Sequence, residues 1–125
     1  MKWDTGYFTD LEMGKALRFV SDPKDLVVVL GKEAGNPLAI YYSRRKGWVF
    51  PSSSGFDMEP SEAINQLSEM SRRGAKWFAL ANDAHDVGGR KFMDRYSEVI
   101  SFLDHANSVI NGKDFKIYAL TSAQP

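Results

Sequence analysis

The residues able to do chemistry lie in two short stretches. In Asn82-Asp83-Ala84-His85-Asp86, Asp83, His85 and Asp86 are the types that form a metal ligand set or a general acid/base pair. No other His/Asp/Glu cluster reinforces them, so a solvated loop whose acids precede a helix is the plainer reading. The second stretch, Tyr41-Tyr42-Ser43-Arg44-Arg45-Lys46-Gly47-Trp48, sets three cations between aromatics. Guanidinium forks suit phosphate, and an aromatic face suits a sugar ring or a cation. Arg44, Arg45, Lys46 and Trp48 are therefore candidate ligand-binding residues, with Asp83 and His85 the candidates in the other loop. The plainer alternative is a hairpin tip with solvated charges and Trp48 packed into the core.

Other motifs fail on inspection. Gly31-Lys32-Glu33-Ala34-Gly35 follows an apolar run, as a phosphate loop would, but Asn36-Pro37 stands where Lys-Ser/Thr is needed. No G-x-G-x-x-G occurs. Ser52-Ser53-Ser54-Gly55 lacks the G-x-S-x-G elbow and reads as a linker. His105 reads as a surface polar residue, and Gly88-Gly89 as an eased helix entry.

These residues need elements to position them. Leu11, Ala16, Leu17 and Val20 suggest a short helix from about Asp10, weakened by Gly14 and stopped at Asp22-Pro23, leaving residues 1–10 as a linker or extended segment. Leu26–Leu30 is continuously apolar and β-branched, as a strand covered on both faces reads. Leu38–Tyr42 reads as a second strand and Trp48-Val49-Phe50 as a third. The polar, glycine-bearing link between them predicts a hairpin. Pro60 opens a helix with Ala63, Ile64, Leu67 and Met70 on one face, and Gly74 closes it. Lys76–Ala81 is a buried-type strand. Phe92 to Ile110 fits one long helix, although Glu98–Leu103 reads equally as a strand after a helix ending near Tyr96. Asn111-Gly112 breaks the chain, and Phe115–Leu120 is a terminal strand. Alternation of strands and helices predicts one three-layer α/β sandwich with a mainly parallel, Rossmann-like sheet and a hairpin near its start.

Composition narrows the function classes. The chain has 125 residues, 16 Lys+Arg against 16 Asp+Glu, and no cysteine. One domain fits that length. Zero net charge argues against a nucleic-acid partner. Without cysteine there is no disulfide framework, thiolate metal cage or cysteine nucleophile. The longest apolar runs are far short of the ~20 residues of a spanning helix. The first residues carry no apolar signal core. No cofactor is implied by any motif.

The series Asp25-Leu26-Val27-Val28-Val29, Asn36-Pro37, and Tyr41 through Trp48 resembles one family. Gly74-Ala75-Lys76-Trp77-Phe78-Ala79 and Phe115-Lys116-Ile117-Tyr118-Ala119-Leu120 extend the likeness over residues 11–120. The pattern is similar to the soluble C-terminal domain of bacterial membrane glycosyltransferases of the dolichyl-phosphate-mannose–protein mannosyltransferase-like type. The Arg-Lys-Gly-Trp segment is its most distinctive part. The resemblance implies a domain on the extracytoplasmic, periplasmic face of the inner membrane, attached to a polytopic enzyme that uses a polyprenyl-phosphate-linked sugar. The family's catalytic acid lies near the early membrane helices. No position here matches that motif, so no catalytic residue is carried over. The segment between Tyr96 and the last strand is longer than in the family pattern.

Three functional expectations follow. The leading one is a non-catalytic accessory domain that packs on the transmembrane portion of its parent enzyme and assists donor or acceptor binding, Met1 then being the start of an excised piece. The second is a free-standing sugar- or phosphate-binding module or enzyme that unites the 44–48 and 83–86 loops in one pocket. The third is an interaction domain that docks through the aromatic segment Trp3–Phe8.

Overall fold

The computed structural model describes residues 5–33, 37–50, 58–86, 89–106 and 108–120, with side chains described except at 5–7, 105 and 106. The Ser52–Gly55 linker, Gly35, Asn36, Gly88, Trp3 and the His105 side chain lie outside this set. The elements are α1 (Thr5–Val20), β1 (Leu26–Leu30), α2 (Leu38–Ser43), β2 (Lys46–Val49), α3 (Pro60–Arg72), β3 (Ala75–Ala81), α4 (Phe92–Arg95), α5 (Ser97–Ala106), β4 (Ser108–Asn111) and β5 (Phe115–Ala119). The strands form one sheet in the order β2-β1-β3-β5-β4.

The sheet is buried from both sides by its own alternation. Successive side chains of a strand point to opposite faces. Val28 and Leu30 of β1 join Phe78 and Leu80 of β3 in a core with Leu67 of α3 and Val99 and Leu103 of α5. Val27 and Val29 face the other way, toward Met13 and Leu17 of α1 and Ala39 of α2. Helices thus cover both faces, as expected of an α/β sandwich. Pro60 occupies the first turn of α3, and Gly74, at φ 111°, ends it with its amide on the Ser71 carbonyl. That positive φ favours glycine.

The mainly parallel, Rossmann-like sheet is corrected to a mixed one. β2, β1 and β3 run parallel, whereas β5 pairs antiparallel with both β3 and β4. The cause is local. Only Gly112, Lys113 and Asp114 separate β4 from β5, and a link that short joins antiparallel neighbours.

The hairpin near the start does not exist. Leu38–Ser43 is the helix α2, and β2 pairs parallel with β1, so the two strands are joined by a crossover that carries α2. Helical spacing explains the misreading: Ala39 and Ser43, four apart, are the fully buried positions, while Tyr41 is 74% exposed. The linker or extended segment expected over residues 1–10 is corrected from residue 5 onward, residues 1–4 lying outside the described set. α1 starts at Thr5, and Asp10 is buried, its carboxylate accepting the Lys32 amide at 3.1 Å. The long helix expected to Ile110 is instead α4 and α5, interrupted at Tyr96, and its tail is the edge strand β4. Tyr96 is buried and its hydroxyl donates to the Met58 carbonyl at 2.6 Å.

Candidate functional site

The two candidate loops lie at opposite ends of the sheet. Lys46 opens β2 and pairs with Leu26 at the start of β1. Asp83 and His85 follow Ala81, the last residue of β3, which runs parallel to β1. A strand of five residues such as β1 separates these ends by about 15 Å. Arg44, Arg45 and Lys46 therefore lie at the end away from Asp83 and His85, with Trp48 midway along β2 opposite Val28.

Much of the 44–48 segment is taken up by the fold. Arg45 Nε donates to Ser21 Oγ at 2.8 Å, and its terminal nitrogen reaches the carbonyls of Ser21 at 3.0 Å and Arg18 at 3.1 Å. These groups close the C-terminus of α1, where carbonyls lack helical partners and a cation is favoured by the helix dipole. Trp48 packs against the core on the α3 side. Gly47 sits against β1 so closely that a Cβ there would lie 1.7 Å from the Val27 carbonyl oxygen. Lys46 is exposed on an edge strand, a placement that discourages pairing with other chains.

Arg44 has another fate. It adopts φ 57° at the C-cap of α2, with its amide on the Tyr41 carbonyl, and it is exposed. With Tyr41 and Tyr42 of α2 and Leu11, Lys15 and Arg18 of α1 it lines an open groove of about 600 Å³. Gly14 makes the groove possible: a Cβ there would lie 2.6 Å from Tyr42 Cβ and 2.8 Å from the Ala39 carbonyl oxygen, so the two helices nearly touch. Leu11, Lys15 and Arg18 then border α2 at i, i+4 and i+7, one stripe of a helix. The Tyr41 and Tyr42 rings meet edge to face, 5.3 Å between centroids at 76°. Three cations thus surround two aromatic rings. Only Arg44 of this set was among the candidates from sequence. The 11, 15, 18 spacing was visible, but without α2 as a neighbour nothing distinguished it from a solvated face.

The opposite end is stitched together by backbone. The His85 amide donates to the Lys32 carbonyl at 2.8 Å, and His85 bridges Glu33 on one side and Lys91 on the other. His85 Nδ1 is 3.2 Å from the Asp83 carbonyl oxygen, and Asp83 faces Lys32 Nζ at 3.9 Å. Asp86 is buried and accepts the Arg90 amide at 2.9 Å and Arg90 Nε at 2.6 Å, clamping its own loop. Asp83, His85 and Asp86 therefore do not converge on a common point. Among the described residues no group of three or more His, Asp or Glu side chains is placed to hold a metal ion.

Two shifted acids are structural. Burial works against the charge of Asp25. The Trp77 indole N–H at 2.9 Å, the Asp22 amide at 2.9 Å and Lys76 outweigh it, so the carboxyl titrates below its ordinary range. Burial raises the Tyr118 phenol well above its usual value, and the Asp104 carboxylate that accepts its proton at 3.0 Å adds to this.

No described helix is long and apolar enough to cross a membrane. Compared with known proteins, the chain matches no family model, no curated sequence and no solved structure.

Proposed function

We propose that this domain is a non-catalytic binding module whose α1–α2 groove takes a phosphorylated sugar. The observation that carries the reading is the convergence of Lys15, Arg18 and Arg44 around the Tyr41 and Tyr42 rings in one groove of about 600 Å³. The cations match a phosphate, Arg through its planar fork and Lys as a point charge. The tyrosine faces match the apolar side of a sugar ring. No carboxylate or imidazole lines the groove.

Within that ligand class, the sequence pattern of Tyr41–Trp48 and its companion segments favours a polyprenyl-phosphate-linked sugar. In that reading the domain is an extracytoplasmic accessory part of a membrane glycosyltransferase, packed against its transmembrane portion. The support for the parent enzyme is the segment pattern. Its check is the gene: the reading frame continues upstream into many hydrophobic spans, and a stop codon directly before Met1 without such spans refutes it.

The groove itself is tested by titrating the isotope-labelled chain with glucose phosphate while following amide resonances. Shifts are expected to cluster at residues 11, 15, 18, 41, 42 and 44, and to weaken in Lys15→Gln/Arg44→Asn. Glucose without phosphate gives a weaker form of the same pattern. Unchanged resonances at millimolar glucose phosphate refute the reading.

A further inference from the structure

We infer that the α1–α2 face seats on an anionic lipid bilayer, with Phe8, Phe19 and Tyr41 entering the headgroup layer and Lys15, Arg18 and Arg44 pairing with lipid phosphates. The starting point is exposure. Phe19 is 91% exposed, Tyr41 74% and Phe8 64%, and they are three of the four large hydrophobic side chains exposed among the described residues. All three belong to the pair of helices that covers one face of the sheet.

Helical geometry puts them together. Lys15 and Phe19 follow Phe8 by seven and eleven positions, which brings all three within about 20° of one line along α1. Lys15 also lines the groove with Arg18, Arg44 and Tyr41, so stripe and groove are continuous. The charges on this face are unequal although the chain as a whole is neutral: Lys15, Arg18 and Arg44 stand against Glu12. Asp22 and Lys24, just past α1, cancel one another.

The spacing separates a bilayer from a protein partner. Phe8 and Phe19 stand about 16 Å apart along the axis, with Lys15 between them. A protein interface places contiguous apolar area at its centre and is depleted in lysine there. Isolated aromatics among cations are instead the pattern of an element lying in the lipid headgroup layer, where each ring enters alone and each cation meets a phosphate. The inference deepens the groove reading, since the same three cations serve both. Phe8 and Phe19 do not line the groove and set the lipid claim apart.

The test is co-sedimentation of the whole 125-residue chain with vesicles of equal parts phosphatidylglycerol and phosphatidylcholine, against phosphatidylcholine alone. Binding is expected with the anionic vesicles only and falls as salt rises. Phe8→Ser/Phe19→Ser, two exposed positions at which circular dichroism confirms folding, is expected to lose about tenfold or more in vesicle affinity. Lys15→Gln and Arg18→Gln are each expected to lose about fivefold. Glucose phosphate binding should survive the double serine change. Three results overturn the inference: no binding to anionic vesicles, binding that the double serine variant retains in full, or capture of a single-stranded oligonucleotide in place of vesicles. If glucose phosphate still perturbs the groove while vesicles are ignored, the lipid inference falls and the groove reading stands. If vesicles bind while glucose phosphate does not, the reverse holds.

Discussion

Arg45 separates a structural role from a ligand role, and its replacement by alanine does so cleanly. The side chain reaches the Ser21 hydroxyl, the Ser21 carbonyl and the Arg18 carbonyl at 2.8, 3.0 and 3.1 Å. The Ser21 hydroxyl already donates to the Leu17 carbonyl at 2.6 Å, which leaves its lone pairs for Arg45. Arg18 supplies one of the last four carbonyls of α1, and these have no partner within the helix. Hydrogen bonds from a charged donor contribute about 1.5–3 kcal/mol when partly buried. A cation at a helix C-terminus contributes about 0.3–1 kcal/mol more. Water replaces part of both in Arg45→Ala, because the site is only half-buried, so a loss of about 2 kcal/mol is expected. For a chain of this length that lowers Tm by roughly 6–10 °C. Urea unfolding should show a lower midpoint at constant slope. Arg45→Lys keeps the charge but loses the fork, and should recover about half the loss. Glucose phosphate binding should be unchanged in both. A stability loss below about 0.5 kcal/mol, or a loss of ligand binding at full stability, refutes the reasoning.

Three further outcomes follow from the packing and the charges. Gly14→Ala gains about 1 kcal/mol of helix propensity but drives a methyl group to 2.6 Å from Tyr42 Cβ, so a net loss of about 1 kcal/mol in urea unfolding is expected, and a more stable variant contradicts the close α1–α2 contact. Gly47→Ala places a methyl 1.7 Å from the Val27 carbonyl oxygen, and β2 must leave β1; a loss of roughly 3–5 kcal/mol or failure to fold is expected, read from amide dispersion. Asp25 titrates below its ordinary 3.8, so the stability it supplies is complete above about pH 4 and disappears as pH falls through the lower folded value. Urea midpoints measured from about pH 6 down to pH 2 should therefore drop less steeply in Asp25→Asn than in the parent chain, and an identical acid limb refutes the assignment.

The parts of the fold legible in the sequence are those whose local pattern and tertiary environment agree. Leu26–Leu30 is apolar without a break because it is the strand covered by helices on both sides. Pro60 and Gly74 frame α3 because each fits one end of a helix sterically. Leu38–Tyr42 fails for the opposite reason. Five apolar residues are too few to reveal a period, and Tyr41 spends its apolar surface on the outside. The antiparallel half of the sheet was hidden in Ser108–Asn111, whose exposed, polar-flanked residues carry too little hydrophobic pattern to announce an edge strand. At the site, Arg44 was legible as a cation beside aromatics, but Lys15 and Arg18 became relevant only when Gly14 let α2 approach α1.

The same features explain why the candidate site lies on helices and not at the sheet. In doubly wound α/β folds the ligand enters where strand order reverses, in the gap between the loops that leave the two central parallel strands. Here those strands are β1 and β3, and the gap requires the loops after Leu30 and Ala81 to diverge. They converge instead. Lys32, His85 and Lys91 continue the sheet by backbone pairing, Asp10 of α1 holds the Lys32 amide over Gly31, and Asp86 clamps Arg90. A carboxylate as bulky as that of Asp10 fits because Gly31 has no side chain: a Cβ there would lie 2.7 Å from Asp10 Oδ1. These buried acids hold amides and an arginine and so are engaged in the fold. Lys15, Arg18 and Arg44 are instead gathered on the outer helices beside two tyrosines. The anion recognition proposed for the domain is therefore placed at its helical surface and not at the sheet.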